Sequence, residues 1–120
     1  MSEVLESAKG HFKSKMSGGL ECIEVPEWEV KGKPTKLYFR PSINFVQQQK
    51  IITYIDDKRK GDALVESLIQ RALDADGNRV FKEVHRSELM RHVDPDVVAR
   101  IVGAMAGVEE EYDHEEIEKN

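Results

Sequence analysis

Leu20 to Arg40 reads L-E-C-I-E-V-P-E-W-E-V-K-G-K-P-T-K-L-Y-F-R. Its first half alternates apolar with acidic residues, the period of a strand that buries one face. K-G-K-P interrupts the alternation near Gly32 and T-K-L-Y-F resumes it, which predicts a β-hairpin or two short strands. Pro26 cannot donate to a ladder, so the first strand is an edge strand or is broken there. A two-stranded element of this size cannot stand alone in water and needs other elements against its apolar face.

Those elements lie C-terminal to it, where the period changes. Pro41-Ser42 ends the strand pattern, and Ser42 is placed to cap a helix over about 43–58, with Phe45, Ile52 and Ile55 at helical spacing. D-K-R-K-G-D then supplies cations for that helix's end, a glycine stop and, in Asp62, a cap for the next helix. Val65, Leu68, Ile69, Ala72 and Leu73 form the clearest apolar stripe, on a helix over about 63–73. H-R-S-E-L-M-R-H-V predicts a short helix carrying Leu89, Met90 and Val93. Asp94-Pro95-Asp96 starts the last helix, whose stripe is Val97, Val98, Ile101, Val102 and Met105. The fold class is therefore α+β and mostly helical, an N-terminal β-hairpin or pair of short strands followed by three to four packed helices. Its expected core is Trp28, Phe39, Phe45, Ile52, Leu68, Phe81, Ile101 and Val102. Residues 1–19, ending in M-S-G-G, read as a flexible arm, 20–108 as one globular domain, and 109–120 as an acidic disordered tail.

Between the second helix and the short one stands L-D-A-D-G-N-R-V-F, Leu73 to Phe81, which invites comparison with a calcium loop. With Gly77 in the sixth place, Asp74, Asp76 and Glu83 fall on ligand positions three, five and twelve. The first ligand position is then Ala72, on an apolar stripe, and Arg79 places a cation inside the loop. A structural turn accounts for the same residues: Asp74 closes the helix, Asp76-Gly77-Asn78 tolerates positive φ, and Val80 or Phe81 returns to the core. Asp74, Asp76, Gly77 and Phe81 are accordingly read as turn residues, with no metal or other cofactor.

The remaining composition narrows the function classes. At 120 residues and 39% apolar the chain suits one domain without staples. A net charge of −5, with signs mixed through the body, argues against a nucleic-acid partner. Cys22 has no second thiol to pair with and reads as a small half-buried strand residue. No apolar run approaches the roughly 20 residues of a membrane span, and the acidic start lacks the basic region of a signal peptide. These absences predict a cytoplasmic protein without a membrane partner. His11, His85, His92 and His114 have no zinc-ligand spacing and read as solvated. No serine stands in a nucleophile elbow and no glycine pattern cradles phosphate, so the chain is read as not an enzyme.

E-V-P-E-W-E-V-K-G-K-P-T-K-L-Y-F-R, two helices, D-A-D-G-N-R-V-F with its D-G-x-x-x-F signature at Asp76, Gly77 and Phe81, a short helix and D-P-D-V-V-A-R-I-V-G-A-M-A-G follow one another in this chain. That order resembles the tail assembly chaperones of phages with long non-contractile tails, over about residues 20–107. The resemblance implies a non-catalytic protein of the host cytoplasm, not retained in the mature virion, that coats the tape-measure protein and helps recruit tail-tube protein. It also implies a homo-oligomer, with Tyr38, Tyr54 and the acids Glu109, Glu110 and Glu111 as candidate interaction residues. Glu118-Lys119-Asn120 can be encoded by GAA-AAA-AAC, on which a ribosome can slip to give a longer frameshifted product. The alternative from the residues alone is a small calcium-binding or acidic protein-interaction module.

Overall fold

The computed structural model describes residues 2–106. An N-terminal helix precedes a two-stranded antiparallel hairpin, and four more helices follow among the described residues: α1 (Ser2–Met16), β1 (Glu21–Val30), β2 (Lys33–Phe39), α2 (Phe45–Asp56), α3 (Lys60–Arg71), α4 (Arg86–His92) and α5 (Pro95–Ala106), with a 3-10 turn at Glu83–His85 before α4. This is the mostly helical α+β fold that the two periodicities predict. The segment read as an arm is helical over Ser2–Met16, and none of its residues is buried.

The hairpin turns at Lys31 and Gly32, with φ of 55° and 78°, and Val30 faces Lys33 across it. Two consecutive positive φ values match the twist of the flanking strands, and glycine supplies the second without strain. Ile23 pairs with Leu37 and Val25 with Thr35, after which the register shifts between Val25 and Glu29. The shift coincides with Pro26, which has no N–H for the ladder, and it swings Glu27 and Trp28 out toward the helices. Trp28 meets Phe81 edge to face, centroids 6.1 Å apart, while Glu27 forms a two-pronged pair with Arg100 of α5 at 2.6 and 2.7 Å.

Helix α3 is the centre of the body. Ala63 and every residue from Val65 to Gln70 are buried, because α2, α4 and α5 all pack on it. Val25, Leu37, Phe39, Leu68, Ile69, Val98, Ile101 and Met105 form the heart of the core, with Trp28, Phe81 and Val102 half-buried against it. Two residues expected there are outside it: Phe45 is 87% exposed and Ile52 37%. Cys22 is likewise exposed, on the outer face of β1, rather than half-buried. Met90 of α4 is also exposed, leaving Leu89 as that helix's buried residue.

The helix ends correct three further expectations. The cap of α2 is Asn44, not Ser42: its side chain accepts from the Gln47 N–H at 2.8 Å while Gln47 Oε1 accepts from the Asn44 N–H at 3.1 Å. That reciprocal box satisfies two donors at once, which a lone serine cannot do. Chain reversal after α2 falls on Lys58, at φ 62°, so Gly61 is free to lie inside α3. Asp62 consequently stands in the first turn of α3, where it pairs with Arg59 instead of capping. Asp94 does cap α5, accepting from the Asp96 N–H at 2.9 Å.

Candidate interaction surface

The Asp74 to Asn78 segment is held by its own backbone. The Asp74 carboxylate accepts from the N–H groups of Asp76 and Asn78 at 2.9 and 3.0 Å, and the Gly77 N–H donates to the Asp74 carbonyl at 2.9 Å with φ at 88°. Asp74 thus organises the turn rather than closing α3, which ends at Arg71. Leu73 and Tyr38 exchange two backbone hydrogen bonds, 2.7 and 2.8 Å, so the turn is tied to the free edge of β2. Phe81 then drops between Trp28 and the His85 ring. His85 is half-buried, not solvated, and its Nδ1 accepts from the Lys82 N–H at 2.9 Å.

Glu83, the acid at the twelfth position of a calcium loop, is committed elsewhere. Glu83 bonds Arg86 at 2.6 Å, and the Arg86 guanidinium holds its carboxyl below the usual range. Among the described residues no three His, Cys, Asp or Glu side chains converge on a point where a metal could sit.

Arg86 is instead the hub of a polar seam. Its guanidinium bonds Glu83 and the buried Glu66, lies 3.7 Å from Asp62, and sits over the Tyr54 ring at 5.3 Å. Glu66 accepts from Gln70 Nε2 at 2.7 Å, and Gln70 Oε1 accepts from both Gln47 and Arg79. The hydrogen bond to Glu83, and then that to Glu66, keep Arg86 charged beyond an ordinary arginine, against the opposing effect of burial. The seam fastens α2, α3 and α4 together, and it satisfies a buried carboxylate that would otherwise be costly. Tyr54, put forward as an interaction residue, belongs to this seam, with Arg59 also over its ring at 4.9 Å. Tyr38 is half-buried beside Leu73. Glu109, Glu110 and Glu111 lie outside the described residues.

What sequence reasoning missed is the outer face of α2. Gln47, Ile51 and Tyr54 turn inward, leaving Phe45 87%, Val46 73% and Ile55 54% exposed. The signal was present: Phe45, Val46, Ile51, Ile52, Tyr54 and Ile55 spread over more of the helix circumference than one neighbour can bury. Two open hollows run along this face. One, of about 840 Å³, lies between Leu5, Ala8 and Phe12 of α1 and Ile43 and Phe45; the other, of about 510 Å³, lies between Ile51, Ile52 and Ile55 and the Val102 end of α5. They share Ser42, Ile43 and Gln48 and so adjoin as one trough, apolar at the α1 end and mixed at the α5 end, where Lys15, Ser67 and Arg71 line it. A trough of this kind takes the apolar stripe of a helix. Comparison of the chain with protein-family models, with curated proteins and with solved structures gives no match.

Proposed function

We propose that this protein is a non-catalytic assembly chaperone of the phage-tail kind, which keeps the tape-measure protein soluble and helps bring tail-tube subunits to it. The reading is supported above all by the exposed apolar side chains of α2, Phe45, Val46 and Ile55, turned to solvent on a body whose own core is complete without them. A tape-measure protein is a long helix that must be shielded before the tube encloses it. Each copy of the chaperone would cover a few helical turns through the trough, so several copies would line one client as a homo-oligomer built on contacts that do not close. It would act in the host cytoplasm and leave before the virion matures, and a frameshifted longer form would carry the link to the tube protein.

The test is co-expression with a tape-measure protein from the gene cluster that encodes this chain, and a cluster without one overturns the reading. A soluble complex is expected with the parent chain, and an insoluble client with the double variant Phe45→Ala, Ile55→Ala. A client that stays insoluble with the parent chain overturns the reading.

A further inference from the structure

The rim of the trough carries charge of one sign. The chain has 23 Asp and Glu against 18 Lys and Arg, yet among the described residues no Asp or Glu lines either hollow. The cations that do are mostly on α1: Lys9 and Lys13 border the larger hollow and Lys15 the smaller, and all three are exposed. Lys9 meets Glu6 of its own helix at 3.5 Å, while Lys13 and Lys15 form no ion pair among the described residues. Arg71 also lines the smaller hollow, but its guanidinium already donates to the Arg40 carbonyl at 2.8 Å, so the available cations of the rim are the lysines. Leu5, Lys9 and Lys13 recur four apart, which sets the lysines on the flank of the stripe made by Leu5, Ala8 and Phe12. Across the larger hollow from them the polar groups are neutral, Ser42, Asn44 and Gln48.

A helix seated in the trough lies between an apolar floor and this rim. Carboxylates four apart on its flank match Lys9 and Lys13, one ammonium to each turn. Lysine stems cover apolar surface while their heads stay in water, so the rim closes on such a helix without burying charge. A helix flanked by Lys or Arg instead sets like charges side by side, and the trough offers no acid to relieve them. We propose that the trough selects an amphipathic helix whose apolar stripe is flanked by Asp and Glu. The proposal rests on the trough being a site for a client helix, and not on that client being a tape-measure protein.

Two synthetic peptides test it, with the same leucine stripe at helical spacing and either Glu or Lys at the same flanking positions, each titrated against the full chain by fluorescence anisotropy. Only binding that is lost in Phe45→Ala, Ile55→Ala counts, since those side chains are the trough's exposed apolar surface. At low salt the Glu peptide should bind about tenfold tighter than the Lys peptide, from three exposed charge pairs of modest strength. The long-range field of a chain with net charge −5 favours the Lys peptide, so the expected order can come only from the rim. The preference should vanish in about 1 M salt. It should vanish also in Lys9→Gln, Lys13→Gln, Lys15→Gln, which leaves the core intact because α1 buries no residue. Equal or reversed trough affinities overturn the proposal and leave the client-helix reading standing, whereas no trough binding of either peptide overturns both. Binding that falls as the protein is concentrated puts a second copy in the trough and overturns the proposal too. So does tighter, lysine-dependent binding to phosphatidylserine vesicles than to the Glu peptide, which would make α1 a membrane-surface helix.

Discussion

Replacing Phe45 by alanine separates the two roles this residue can have. In a packed core a Phe→Ala change removes transfer free energy and leaves a cavity, together about 3–5 kcal/mol. Phe45 is 87% exposed, so only the remaining 13% of its surface is withdrawn from water. For a side chain of about 200 Å² that is some 26 Å², or roughly 0.6 kcal/mol at 25 cal/mol per Å². Phe45 is the first residue of α2, and its helix is held by the Asn44 and Gln47 capping box, which the substitution leaves intact. Urea unfolding should therefore place Phe45→Ala within about 1 kcal/mol of the parent, with an unchanged slope. Client solubility in co-expression should nevertheless fall. A loss of stability above about 2 kcal/mol would mean that Phe45 is buried in solution, and the trough would lose its central residue.

Three other outcomes follow from the geometry. Leu68→Ala, at a fully buried site in α3, should cost about 2–5 kcal/mol in the same urea titration. Gly77→Ala should cost about 1 kcal/mol, because φ is 88° and the new Cβ would stand 3.4 Å from the Arg40 guanidinium. The paired hydrogen bonds from Arg100 lower the Glu27 carboxyl from 4.5 to about 2. A depressed carboxylate stabilises the fold above its unfolded value, so the contribution is complete above about pH 5 and fades from there down through pH 2. The difference in urea midpoint between the parent and Glu27→Gln should shrink over that window.

The parts of this fold legible in the sequence are those where one periodicity meets one buried face. The stripes of α3 and α5 are unambiguous because their large apolar residues recur at three and four, and those residues are the core. The hairpin was legible from alternation, and its break from Pro26, since a missing N–H has the same consequence in any sheet. Helix α2 was legible as a helix but not as to which of its apolar residues turn inward. The inward face is chosen partly by Gln47 bonding Gln70 and by Tyr54 under two arginines, contacts between residues far apart in the chain. For the same reason most of the Arg86 seam left no local trace: Glu83 stands three residues before Arg86, but Glu66 and Asp62 come from α3, 20 residues or more away.

That division bears on what the molecule does. A helix that needed Phe45 and Ile55 for its own packing would have to release them before binding a client, and binding would then compete with folding. Here α2 is attached by Ile51 and Tyr54 on its inner side and by polar bonds from Gln47, while its outer apolar residues contribute little to stability. The attachment of the helix and the composition of its exposed face are thus largely independent. A surface of this kind can remain apolar without unfolding the body, which is what the proposed shielding of a helical client requires. The polar seam is the physical reason: it holds α2 to α3 and α4 through charges and amides, and so leaves the helix's surplus apolar side chains available to another chain.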